Sequence, residues 1–261
     1  MFNLISADMF DFSDVGIRWY TALLVTIGYI AFLAVTALIV SLIKKRRGQN
    51  AVLAFETRDL TYGGVCLAIT VALSIFPIYR MPYGGSVTII SIAPIFIYCY
   101  YFGFHKGLLV STIYTVINLM WGPYIVNPFS MILDYLLPFS ALSIVGIASY
   151  SAKRYNKNLE QKKHPLKAHW PIFVTSAVYI AVRYASHVLA GVLWYYDIDL
   201  ATQWGITGKL AYSMAYNHFA IVDYLIAMIA VVSLLSSKAF NTFMASHRNT
   251  LQKADGGAKD D

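Results

Sequence analysis

Ile125-Val-Asn-Pro-Phe-Ser-Met-Ile-Leu-Asp134-Tyr135-Leu-Leu-Pro-Phe-Ser-Ala-Leu-Ser-Ile-Val-Gly-Ile-Ala148 carries a single charged side chain. A helix needs about 20 predominantly apolar residues to cross a bilayer, and this run is long enough. A carboxylate within such a span costs about 2.5–3.5 kcal/mol or more unless a cationic or hydrogen-bonding partner meets it. Asp134 therefore marks a polar pocket, an ion path or a buried partner inside an otherwise oily segment.

The rest of the chain agrees with a membrane setting. It has 261 residues, of which 58% are hydrophobic and 13% charged, with a mean hydropathy of +0.59. A soluble domain carries about 25% charge. The composition predicts a polytopic α-helical membrane protein of the cell membrane. The net charge of +7 comes from basic residues in short segments between apolar runs, which is a topology pattern and argues against nucleic-acid binding. Cys66 and Cys99 both fall in apolar runs and offer neither a disulfide framework nor metal spacing. Many of the 20 tyrosines suit interfacial belts, and some remain available for stacking. The first 18 residues contain Asp8, Asp11 and Asp14, and the apolar run that follows is a full span, so no cleavable signal is expected.

Seven spans are predicted, at roughly 19–43, 60–79, 86–102, 107–121, 129–151, 169–196 and 209–236. A basic link from Lys44 to Asp59 separates the first from the other six. The expected architecture is a six-helix core over 58–240, preceded by an added transmembrane helix and link over 1–57. A disordered cytoplasmic tail is expected over 241–261. With the N-terminus outside, the inner segments hold Lys44, Lys45, Arg46, Arg47, Arg58, Lys106, every Lys and Arg from 153 to 167, and those from Lys238 onward. The outer segments hold only Arg18, Arg80 and Lys209. The positive-inside rule then places the C-terminus in the cytoplasm.

At about 1.5 Å of rise per residue, Asp134, His187, Tyr212 and Asn217 fall in the outer third to half of the membrane, on three different helices. Polar and aromatic groups converging at one depth are a pocket signature. The competing account makes Tyr212 a belt residue and His187 and Asn217 interhelical hydrogen-bond glue. Arg183 and Asp223 share a depth near the midplane and predict a structural ion pair between the last two spans. Asp134 is the other candidate partner of Arg183. The loop Met81-Pro-Tyr-Gly-Gly-Ser-Val-Thr88 reads as a tight outer turn whose glycines allow close backbone approach. Trp121-Gly-Pro-Tyr124 and Trp194-Tyr-Tyr196 add aromatic surface on the same side. Gly64, Ala68 and Ala72 form a small-residue stripe that lets another helix come close. No Gly-x-x-x-x-Gly-Lys-Ser/Thr loop, His-Glu-x-x-His or Gly-x-Ser-x-Gly occurs, so ATP hydrolysis by a P-loop and the common hydrolase chemistries are not expected. Neither a cofactor nor a metal is expected.

Five collinear segments resemble the thiamine-specific substrate-binding (S) components of energy-coupling factor transporters. They are Leu60-Thr-Tyr-Gly-Gly-Val-Cys-Leu-Ala-Ile-Thr-Val-Ala-Leu-Ser74, Pro82-Tyr-Gly-Gly-Ser-Val-Thr88 with Ser91-Ile-Ala-Pro-Ile95, Leu133-Asp-Tyr-Leu-Leu-Pro-Phe139, Ala181-Val-Arg-Tyr-Ala-Ser-His-Val-Leu-Ala-Gly-Val-Leu-Trp194, and Tyr212-Ser-Met-Ala-Tyr-Asn217. The resemblance covers about residues 58–236. It implies a six-helix membrane protein, not an enzyme, that binds extracellular thiamine and docks on a transmembrane coupling subunit with two ATPases. By the same resemblance Asp134 would face the cationic vitamin, and Tyr135, His187, Tyr212 and Asn217 would line the pocket. Gly64, Ala68 and Ala72 would take the coupling subunit. Members of the family can carry Glu where this chain has Asp134. Tyr195, with Trp194 beside it, stands where a Trp is expected, and the added first helix falls outside the pattern. A fixed cation with a flat ring suits a carboxylate in low dielectric beside aromatic faces. A sensor or stand-alone permease for a small cationic metabolite is the alternative reading. An aspartyl enzyme using Asp134 and Asp223 is a weaker one, because the two carboxylates differ in depth by about 13 Å at the helical rise.

Overall fold

The computed structural model describes residues 19–46, 55–81, 84–120, 123–149 and 169–244. The acidic leader, most of the basic link, the stretch 150–168 and the tail beyond 244 lie outside the described residues. So do Pro82, Tyr83, Trp121 and Gly122. Helices α1 (Trp19–Arg46) and α2 (Thr57–Ser74) lead into a hairpin of β1 (Pro77–Arg80) and β2 (Ser86–Thr88). There follow α3 (Ala93–Phe102), α4 (Phe104–Met120), the composite α5 (Pro128–Ile147), α6 (Trp170–Trp194), the short α7 (Ile198–Gln203), α8 (Lys209–Tyr216) and α9 (His218–Ser236). The fold is all-α apart from the hairpin. A last helical stretch covers 238–244 and so takes in the first four residues assigned to the tail.

Among the described residues, three helices are long and apolar enough to cross a membrane: Pro128–Ile147, Trp170–Trp194 and Lys209–Ser236. The apolar stretches Thr26–Leu42 and Ala93–Phe102 are shorter. The expected second and third spans, 60–79 and 86–102, are corrected by the hairpin. Pro77 has no N–H to donate and biases the residue before it away from the helical region, so α2 stops at Ser74 and the chain extends into β1. β2 returns antiparallel, with Tyr79 opposite Val87 and Arg80 opposite Ser86. Ile90 then turns the chain at φ 53°, and α3 starts only at Ala93, with Pro94 in its first turn. Ten residues of helix span about 15 Å, half of the hydrocarbon core.

α3 is the centre of the molecule. Ile95, Phe96, Ile97, Tyr98, Cys99 and Tyr100 are all buried, as expected of a helix that is apolar on every side. α2, α4, α5 and α9 pack around it. Gly146 of α5 makes one of these approaches possible, since a Cβ there would stand 2.6 Å from the Gly103 carbonyl carbon. Polar ties fasten the end of the core opposite the hairpin. Lys106 pairs with the fully buried Asp59, the Tyr98 hydroxyl donates to the Asp59 carbonyl at 3.1 Å, and Tyr100 bonds His169 at 2.7 Å.

Candidate functional site

The site is built on irregularities in two helices. In α5, Asn127 accepts the N–H groups of Phe129 and Ser130, each at 2.9 Å, and Pro128 supplies a first-turn residue that needs no donor partner. One turn later the helix widens into a π-turn over Ile132–Leu136. Its cause lies at Pro138. The Leu137 N–H reaches back five residues to the Ile132 carbonyl, and Pro138 has no N–H at all. The Leu133 carbonyl thus loses both helical donors, and the Ser186 hydroxyl of α6 takes their place. Such turns cluster at functional positions because they re-aim side chains. Here the residue re-aimed is Asp134.

The second irregularity is Asn217, where the last span breaks between α8 and α9. Its Nδ2 donates to the His187 carbonyl at 3.2 Å, to the Ser213 carbonyl at 2.9 Å and to Ser213 Oγ at 3.3 Å. Ser213 in turn donates to the Val188 carbonyl at 2.7 Å. Gly191 lets α6 and α8 come this close, because any Cβ there would collide with Ser213 Oγ.

Between these elements and the hairpin lies a cavity of about 510 Å³, within the usual range for small-molecule sites. Asp134, Tyr135, His187, Tyr195, Tyr212 and Asn217 all line it. Asp134 Oδ1 accepts His187 Nδ1–H at 3.0 Å, while Oδ2 is buried and makes no hydrogen bond among the described residues. An ionised carboxylate only accepts, so the imidazole proton sits on Nδ1. The Tyr135 hydroxyl accepts the Tyr124 N–H at 3.1 Å, and Tyr195 leans on Tyr124 with ring centroids 5.8 Å apart. Tyr212 stacks on Trp204 at 5.7 Å and meets the edge of Tyr196 at 5.5 Å.

Trp194 is placed apart from the other candidates. It does not line the cavity and instead packs with Leu133 and Ala190 between α5 and α6. α6 ends at Trp194, and the cap residue Tyr195 turns inward in its place.

Arg183 pairs with Asp223 and not with Asp134. The Arg183 Nη1 to Asp223 Oδ2 distance is 2.9 Å, at 7% and 3% side-chain exposure, so the pair is shielded from solvent. The pair also lines the floor of the cavity. Asp223 Oδ1 accepts both the Thr88 N–H at 3.0 Å and the Thr88 hydroxyl at 2.6 Å, which ties β2 to α9. Gly84 and Gly85 sit at φ 88° and 80° in the hairpin turn. Their bareness serves packing: a Cβ on Gly85 would stand 2.6 Å from the Phe219 ring. Tyr216 donates to the Gly84 carbonyl at 3.1 Å and adds a wall. The cavity contributions of Arg80, Thr88, Tyr216 and Phe219 escaped the sequence reading, although Tyr216 and Asn217 are adjacent in one quoted motif. Gly64, Ala68 and Ala72 lie on the outer surface of α2, away from the cavity.

An α-helical bundle with apolar spans and a charged, aromatic-walled hollow defines a membrane protein that handles a small polar solute. The thiamine transporter protein family (Thia_YuaJ) matches residues 60–244, and the chain belongs to that family, a family of transporters and not of enzymes. The thiamine transporter ThiT of Bacillus subtilis (strain 168) is 29% identical over 192 residues, covering 72% of this chain and 92% of that protein. A solved structure of ThiT from Listeria monocytogenes shares the fold with a TM-score of 0.56 at 23% identity, covering 69% of this chain and 94% of that one. The family segment begins after α1.

Proposed function

We propose that this chain captures thiamine in the cavity beside Asp134 and delivers it as the substrate-specificity subunit of an ATP-driven energy-coupling factor importer. The observation that carries the reading is the state of Asp134. One oxygen is held by His187, the Tyr195 hydroxyl stands by the carboxylate, and no Lys or Arg meets it among the described residues. A largely buried carboxylate without a cation is costly to keep charged. A ligand cation removes that cost. The deeper Asp223 charge is already met by Arg183. The thiazolium would sit against Asp134, with the Tyr135, Tyr195 and Tyr212 faces around it. Both Asn217 amide hydrogens are engaged, so its oxygen is the group left for the aminopyrimidine edge.

Membership of the thiamine transporter family supports the ligand. The α2 stripe supports the coupling step. Gly64, Ala68 and Ala72 are exposed, a Cβ on Gly64 would meet nothing within 4 Å, and α1 packs on α5 instead of covering them. The cavity would open to the outside, with the basic segments in the cytoplasm. Thiamine titration of the purified chain, followed by tryptophan fluorescence, tests the ligand. Saturable binding that free choline does not displace is expected, and no response up to millimolar thiamine refutes it. Co-purification with a coupling subunit and two ATPases tests the assembly, and uptake by the chain alone refutes it.

A further inference from the structure

We infer that α1, which lies outside the family segment, is a brace that sets the π-turn carrying Asp134 and thereby slows ligand release. The inference rests on the proposed binding of thiamine at Asp134.

α1 packs through one stripe. Tyr29, Phe32, Leu33, Thr36 and Val40 recur at helical spacing and are shielded, completely so at Val40. Ile27, Ile30, Val35, Leu38, Ile39 and Leu42 cover the opposite face and are exposed. A one-sided stripe of this kind is the mark of a helix docked on a core. α1 packs on the first turn of α5, Pro128–Met131, and on the π-turn Ile132–Leu136. Tyr29 reaches Ser140, two residues beyond Pro138. Phe32 packs on the main core, and Val40 closes the far end against Phe104 and Ile147.

α5 needs such support. Within 20 residues it passes from α to π to α to 3-10 geometry, and these changes of register leave its hydrogen-bond ladder interrupted. Ser186 supports it from α6, and α1 packs against its first turn and its π-turn. The mobility of the Asp134 carboxylate sets how readily a bound cation escapes, so loosening the brace raises the dissociation rate.

The test measures thiamine dissociation from full-length protein in detergent by rapid dilution. Phe32→Ala should release thiamine about three- to tenfold faster, a loss of about 0.7–1.4 kcal/mol. Tyr29→Phe, which removes one oxygen and leaves the packing intact, should release it at least twofold faster. Ile30→Ala, on the exposed face, should match the unaltered chain. A purely structural role would lower the folded fraction but leave the release rate of bound protein unchanged. Unchanged rates in both stripe variants, or an equal rise in Ile30→Ala, overturn the inference. Failure of the unaltered chain to bind thiamine would instead overturn the ligand assignment.

Discussion

Asp134→Asn isolates charge from shape. Asn is nearly isosteric, and its side-chain oxygen can keep the 3.0 Å contact with His187 Nδ1. What disappears is one negative charge facing the ligand. Two unit charges about 4 Å apart attract by ~4 kcal/mol at an effective dielectric of 20 and by ~1 kcal/mol in water. The Asp134 side chain is 16% exposed, so part of the interaction is screened, and a loss of about 2–4 kcal/mol follows. That loss corresponds to roughly 30- to 1,000-fold in Kd. The assay is a fluorescence or calorimetric titration with thiamine and, in parallel, with its uncharged aminopyrimidine half. The variant should bind the neutral half as the unaltered chain does. A loss below about threefold for thiamine, or an equal loss for the neutral half, would refute the assignment of the cation to Asp134.

Three further outcomes follow from the packing. Gly191→Ala should lower the melting temperature, with about 1–3 kcal/mol of overpacking where the new methyl meets Ser213 Oγ. Ser213→Ala in the same chain should restore part of that loss, and full additivity would contradict the contact. Arg183→Met should destabilise the protein by about 3–5 kcal/mol, because it strands the buried Asp223 charge; a joint Arg183→Met, Asp223→Leu variant should be milder in thermal unfolding. Ala68→Leu should leave the melting temperature and thiamine affinity of the isolated chain unchanged, since Ala68 is exposed, yet abolish uptake in the assembled complex. Retained uptake would remove the α2 stripe from the docking surface.

Much of the pocket was legible because helical spans turn residue number into depth. Asp134, His187, Tyr212 and Asn217 could be placed at one level before any coordinates, and so could Arg183 with Asp223. The hairpin was not legible. Residues 75–80 and 86–92 are mostly apolar or small, and hydropathy treats them as the ends of spans. Pro77 was the available stop signal. The π-turn was hidden for a related reason: Pro138 marks a missing donor, but which carbonyl shifts register depends on Ser186 across the interface. Trp194 sits near the face of His187 by helical periodicity. Both it and Tyr195 pack on the Leu133 cluster, but α6 ends at Trp194 and only Tyr195, beyond the end, lines the cavity. No local pattern states where a helix will stop.

The bond from Thr88 to Asp223 has a practical consequence for anyone reshaping this pocket toward another vitamin. The acid at the bottom holds a strand as well as a charge. Swapping it for a group chosen only to fit a new molecule would release the flap above, so retargeting should begin with the tyrosine sides and leave the anchor untouched.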